Sequence, residues 1–198
     1  MNDPTTSTEL PDLSPALERL RAHVLEHSVK HGEFVLKSGA TSSWFLDTKQ
    51  TACRAEGIVA ATDAFLEVFE DVLGDIDAIG GLTMGSDPVA YGIAAVAATR
   101  GHVIRSFSVR KEAKKGGITG RIAGALQPGD RVLVTEDTTT RGTSLMEASE
   151  QVEAYGAVPV WMTVLVDRGG TCAAMAAERN IDYRPLLTAP DIGFGYGT

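Results

Sequence analysis

Cysteine and aromatic side chains are scarce in this chain, and basic residues are outnumbered by acidic ones. Its two cysteines, Cys53 and Cys172, lie far apart without a CxxC or a histidine-rich neighbourhood. That leaves no disulfide framework and no zinc pattern, and points to reduced thiols in a cytoplasmic protein. Against 26 Asp and Glu there are only 18 Lys and Arg, for a formal net charge of -8. This is the wrong sign for a general nucleic-acid binder, so any basic patch must be local. No apolar run approaches a membrane span. The opening "MNDPTTSTELPDLS" lacks a basic-then-apolar signal pattern, so residues 1–13 read as a flexible leader. A Gly-Lys-Ser/Thr phosphate loop is missing too, and the glycines of "GDIDAIGGLTMG" have the wrong spacing for a dinucleotide fingerprint.

What is present suits one domain over residues 14–198. The length of 198 residues supports a sizeable core, and 43% hydrophobic with 22% charged residues is ordinary globular composition. Ser14 and Pro15 make a helix start, with Leu17, Leu20 and Val24 at helical spacing and Gly32 as the stop. "EFVLKSGATSSWFLDTK" predicts two short strands around a Lys-Ser-Gly turn, a small hood mainly over residues 14–50. Ile58, Ala61, Phe65, Val68 and Val72 then mark a helix from Arg54 onward.

Beyond it, apolar strands alternate with amphipathic helices. "DAIGG", "VIRSFSV", "RVLVT" and "PVWMTVLV" read as strands, and helices are expected at Pro88–Thr99, around Leu145–Tyr155 and near Thr171–Arg179. This pattern predicts an α/β fold: an open, mainly parallel sheet with helices on both faces. Ligands of such sheets bind outside the carboxyl ends of the strands, where three loops emerge: Gly80–Pro88, Arg110–Arg121 and Glu136–Ser144.

The last of these loops carries the strongest chemistry. In "RVLVTEDTTTRGTS" an apolar strand ends in two acids, followed by hydroxyls and a glycine at a helix start. Backbone amides of Thr139–Ser144 and the positive end of the helix dipole suit a phosphate, Gly142 permits close approach, and the hydroxyls add donors. Glu136 and Asp137 would repel that phosphate. They suit sugar hydroxyls, or a magnesium ion held through water, and the pair of features points to a sugar phosphate. The Arg110–Arg121 stretch concentrates five basic side chains (Arg110, Lys111, Lys114, Lys115, Arg121) against Glu112, a composition for a mobile lid over an anion. In the third loop Gly80, Gly81 and Gly85 are expected to admit a ligand closely, with Ser86 or Asp87 capping the next helix.

These stretches resemble a known family. "VLVTEDTTTRGTS" is similar to the phosphoribosyl-diphosphate motif of type I phosphoribosyltransferases. "VRKEAK" (Val109–Lys114) resembles the catalytic lid of the orotate phosphoribosyltransferases, "FVLKSGATSSWFLD" (Phe34–Asp47) their hood segment, and "GGLTMGSDPVA" their pyrophosphate loop. The resemblance runs in order from about Gly32 to Arg168. It implies transfer of a phosphoribosyl group to orotate in pyrimidine synthesis, with magnesium, giving orotidine 5′-monophosphate and pyrophosphate. It also implies a homodimer with shared active sites, in which Lys114 acts on the neighbour's substrate.

Carried over by position, Lys37, Arg110, Lys111, Lys114, Glu136, Asp137 and the run Thr138, Thr139, Thr140, Arg141, Gly142, Thr143 and Ser144 would hold phosphoribosyl diphosphate. Lys111, Lys114, Glu136 and Asp137 would be the catalytic members, with no direct protein ligand to the metal. Phe45, Leu46, Thr140 and Arg168 would contact orotate. The chain departs from the family at Gly116, where many relatives have histidine, at Ala40 in place of an arginine, and at Arg141 in place of a small residue. Two alternatives remain: a phosphoribosyltransferase for another base, and a non-catalytic sensor of phosphoribosyl diphosphate or nucleotides.

Overall fold

The structure is a computed structural model and describes residues 10–35, 41–114 and 120–197. Helix α1 (Pro15–His27) starts as expected, with the Ser14 hydroxyl accepting from the Leu17 amide at 3.3 Å and proline in the first turn. It ends at His27 rather than at Gly32. Strand β1 (Val29–Val35) takes over because β2 (Thr41–Leu46) pairs with it antiparallel, Val29 opposite Leu46. The turn between them, with Lys37 and Ala40, lies outside the described residues. A one-turn helix α2 (Lys49–Ala52), not expected from the sequence, leads into α3 (Ala55–Val68).

The main sheet contains β3 (Ala78–Leu82), β4 (Arg105–Lys114), β5 (Gly120–Gly124), β6 (Arg131–Thr139), β7 (Val158–Asp167) and two short strands, β8 (Asp182–Tyr183) and β9 (Leu187–Thr188). Their order is β5-β4-β3-β6-β7-β8, with β9 also on β7. All neighbours are parallel except β4 and β5. Helices α4 (Ser86–Ala98), α5 (Thr143–Tyr155) and α6 (Cys172–Glu178) supply the crossovers.

Strand alternation assigns each face its own core. Leu133 of β6 and Ile79 of β3 point to one side, with Phe65, Phe69, Val89 and Ile93 of the helical layer. Val132 and Val134 point to the other, with Leu145, Val152 and Ala176 of α5 and α6. Each large apolar side chain so buried contributes roughly 1.5–3 kcal/mol. With α4 on one face and α5 on the other, the connections diverge between β3 and β6. That divergence is the topological switch point where open α/β sheets bind ligands.

The basic Arg110–Arg121 stretch is more structured than a loop. Its arms belong to β4 and β5, a hairpin at the sheet edge, because Val109 pairs with Ile122 and Lys114 with Gly120. Residues 115–119, including Gly116, lie outside the described residues, as does the Lys114 side chain. Cys53 is exposed and Cys172 buried, and neither is in a disulfide. No helix among the described residues is long and apolar enough to cross a membrane.

Candidate active site

Strand β6 extends through Thr139, so the two acids sit inside its last turn of pleat rather than beyond it. Glu136 is 8% exposed and Asp137 5%. The Asp137 amide donates to the Glu136 carboxylate at 3.1 Å, and the Thr138 amide to Asp137 at 2.8 Å. Lys49 Nζ reaches Asp137 Oδ2 at 2.5 Å. This lysine sits on α2, two residues past the hood segment that resembles the family. Nothing in the sequence distinguishes it from a surface lysine.

Burial, with the Asp137 charge alongside, pushes the Glu136 carboxyl up to about 8. Burial works against the charge on Lys49, but the hydrogen bond and charge of Asp137, with Glu136 and Asp47 behind, leave its pKa raised. The shift in Glu136 has a signed consequence. Between its ordinary 4.5 and about 8, the folded state keeps a proton that the unfolded chain has released. Stability therefore falls as pH rises through that window. Glu136→Gln cannot ionise, so its melting temperature is expected to gain on the parent's steadily across the same window in metal-free buffer. Parallel thermal-unfolding profiles would mean that Glu136 titrates normally.

Gly80 and Gly81 of β3, and Gly85 after it, are required by packing. A Cβ on Gly80 would lie 2.3 Å from the Phe107 carbonyl, one on Gly81 2.1 Å from that of Thr135, and one on Gly85 1.7 Å from Glu136 Oε1. Neither Ser86 nor Asp87 caps α4. The Ser86 hydroxyl donates to the Leu82 carbonyl at 3.1 Å, and Asp87 accepts from Thr83 at 2.6 Å and Ser108 at 2.5 Å.

The hydroxyl-rich loop divides into internal and outward members. Thr138 donates to the Val166 carbonyl at 3.0 Å, and Thr139 Oγ1 accepts from the Gly142 amide at 2.8 Å, so both hydroxyls brace the loop. Thr140, Arg141 and Thr143 are exposed, and Ser144 is half-buried. Gly142, with φ +78°, is the α5 N-cap and has no side chain to cap the helix, which leaves that end suited to an anion. A Cβ there would also lie 2.9 Å from Cys172 Sγ.

The remaining sequence-predicted residues fall on two sides. In β2, Trp44 and Leu46 are buried at 2% and 3%, while Phe45 is 39% exposed and packs on Phe34 at 5.5 Å. Alternation puts the Leu46 side chain into the core, so of this pair only Phe45 presents its side chain outward. Arg168 is joined to the phosphate loop, its amide donating to the Thr139 carbonyl at 2.8 Å, and its guanidinium lies 4.6 Å from the Trp44 ring centroid. Burial lowers its pKa. Beneath it, Asp167 accepts from the Gly169 and Gly170 amides at 2.9 and 3.0 Å and from the Tyr183 hydroxyl at 2.9 Å.

Of the lid cations, Lys111 is exposed and Arg110 half-buried. Arg110 lines a cavity of about 490 Å³ with Arg121, Gln151 and Tyr155, between the hairpin and α5. Arg121 is an anchor rather than a ligand donor: it bonds the Arg110 carbonyl at 2.5 Å and pairs with Glu147 of α5. Among the described residues no hydrogen bond or ion pair joins Arg110 or Lys111 to the acid pair, and no three acidic, histidine or cysteine side chains converge to hold a metal.

The chain is similar to several orotate phosphoribosyltransferases. An orotate phosphoribosyltransferase from Streptomyces avermitilis is 35% identical over 175 residues, 88% of this chain and 95% of that one. One from Corynebacterium glutamicum is 37% identical over 170 residues, 86% of this chain and 90% of that one. A crystal structure of the Mycobacterium tuberculosis orotate phosphoribosyltransferase with Fe(III) dicitrate superposes with a TM-score of 0.81 at 34% identity, covering 91% of this chain and 100% of the other. The same mycobacterial enzyme in complex with 5-phospho-α-D-ribosyl 1-diphosphate gives a TM-score of 0.78 at 30% identity, with the same coverage. No family model matches the chain.

Proposed function

The chain belongs to the orotate phosphoribosyltransferase family, and from that premise we propose how its cleft works: a magnesium-assisted transfer carried by the acid pair, the phosphate loop and the lid. The reaction moves the 5-phosphoribosyl group from phosphoribosyl diphosphate to orotate, giving orotidine 5′-monophosphate and pyrophosphate for pyrimidine synthesis. The observation that carries the mechanism is the placement of Glu136 and Asp137. They are buried at the switch point between β3 and β6, directly before an uncapped helix start and beside the turn that Arg168 opens after β7.

Reaction breaks the bond from ribose C1 to the pyrophosphate oxygen and forms one to the orotate ring nitrogen, whose proton leaves to the pyrophosphate. Positive charge develops on the ribose in between. Glu136 and Asp137 accept hydrogen bonds from the ribose hydroxyls, and the negative field of Asp137, joined by Glu136 when it ionises, favours that cationic transition state. The amides of Thr143 and Ser144 and the outward hydroxyls of Thr140, Thr143 and Ser144 hold the 5′-phosphate. Lys111, Arg110 and Lys114 neutralise the departing pyrophosphate as the hairpin closes and excludes water. Arg168 pairs with the orotate carboxylate, and Phe45 with Thr140 borders the ring.

Two carboxylates without a third donor fit a magnesium ion held mainly by phosphate oxygens and water, with the acids behind. Such an ion supplies neutralising charge to the diphosphate. The working form is a cytoplasmic homodimer in which Lys37, outside the described residues, and Lys114 complete the site, Lys114 in its neighbour.

The test is orotate depletion, followed by ultraviolet absorbance, with phosphoribosyl diphosphate and with or without magnesium. Loss of orotate only with magnesium is expected. Turnover of uracil or a purine in place of orotate would move the protein to another base. Binding without any turnover would make it a sensor.

A further inference from the structure

The base-side arginine is held by two aromatic rings, one in the hood segment and one far from it in the chain. The Trp44 and Phe194 rings stack with centroids 3.8 Å apart and 11° between planes. A ring at that distance fills one face of the indole, so the Arg168 guanidinium, 4.6 Å from the Trp44 centroid, takes the other face. Trp44 is 2% exposed, and the stack therefore sits within the core where the hood strand meets the chain's last residues.

The same last residues grip the arginine's backbone. The Gly197 amide donates to the Arg168 carbonyl at 2.8 Å, while the Arg168 amide donates to Thr139 at 2.8 Å. The Tyr196 ring lies against Gly170, where a Cβ would stand 3.1 Å from its nearest atoms. A guanidinium seated by its flat face on an aromatic ring has the plane of its N–H donors fixed by that ring.

We propose that Trp44 and Phe194 are positioning residues for base recognition: with Arg168 they form a three-layer stack that aims its guanidinium at the carboxylate of the incoming base. This rests on the reading of Arg168 as the partner of that carboxylate. The device joins three distant stretches: β2, the turn after β7, and the segment after β9. A base lacking the carboxylate gains nothing from it, so the stack sharpens discrimination between carboxylated and uncarboxylated pyrimidines.

Steady-state kinetics on the full chain test this. Trp44→Leu and Phe194→Leu keep an apolar filling but remove the aromatic faces. Each should raise the KM for orotate by about tenfold and leave the KM for phosphoribosyl diphosphate near the parent value. Phe194→Tyr, which keeps the ring, should match the parent. In an Arg168→Ala background neither leucine substitution should raise the orotate KM further. If Arg168→Ala raises the orotate KM and the leucine variants do not, the stack has no positioning role. A parallel rise in both KM values would reduce it to ordinary packing. If Arg168→Ala itself leaves the orotate KM unchanged, the reading of Arg168 falls and the stack's role with it. Should the leucine variants fail to fold, a normal orotate KM in a folded Phe194→Ala protein would equally overturn the proposal.

Discussion

Replacing Lys111 by alanine is expected to cut turnover by about 10²–10³-fold, the usual cost of losing one charge-stabilising donor in a transition state. The melting temperature should scarcely move. Lys111 is exposed on the β4 arm, and among the described residues its side chain makes no hydrogen bond or ion pair that folding would lose. Its contribution arises only when the hairpin closes over a leaving pyrophosphate, so the loss should fall on kcat. Steady-state turnover measured beside thermal unfolding checks both halves. Unchanged kcat would remove the lid from the mechanism, whatever the stability shows.

Asp137→Asn should produce a second large effect, again about 10²-fold or more in kcat, with a smaller change in the KM for phosphoribosyl diphosphate. Asparagine keeps an acceptor for the Thr138 amide, 2.8 Å away in the parent. It presents no negative charge to Lys49, whose Nζ is 2.5 Å from the carboxylate. Lys49 is 44% exposed in its side chain and can turn to water, which limits the structural cost. Removing the Asp137 charge also removes one cause of the raised Glu136 pKa, so Glu136 ionises more readily in the variant. The carboxylate lost at one position is thus partly offset at the next, and a persistent kcat loss would report where the charge must sit. A rise in KM alone, with kcat intact, would contradict a transition-state role for Asp137.

The sheet was legible because its strands are buried on both faces. Runs such as "RVLVT" and "PVWMTVLV" have no polar side to confuse with a surface strand, and the helices between them carry regular apolar stripes. The acid pair and the hydroxyl loop were legible for a different reason. Two carboxylates at the end of an apolar strand cost too much to bury without a charged or hydroxylic partner, so their presence there implied chemistry.

Other features left no local trace. Lys49 acquires its meaning from Asp137, 88 positions away in the chain. Gly80, Gly81 and Gly85 read as room for a ligand; the fold adds a demand the sequence did not show, since Phe107, Thr135 and Glu136 crowd them and none is a sequence neighbour. The basic stretch read as an unstructured lid because its strand arms carry charged side chains. Edge strands tolerate such residues, and their pairing is decided by the partner strand rather than by hydrophobic pattern.

What the sequence determined by itself was the layered α/β architecture and the order in which an acid pair and a hydroxyl-rich loop follow an apolar strand. Each follows from periodicity or from residue chemistry within about a dozen neighbouring positions. Only the tertiary structure decided which outside groups meet that site: the Lys49 amine on Asp137, the Glu136 proton held by burial, and the Trp44–Phe194 stack beneath Arg168. These depend on desolvation and on contacts between segments that only folding brings together, and neither quantity is written in a local pattern of residues.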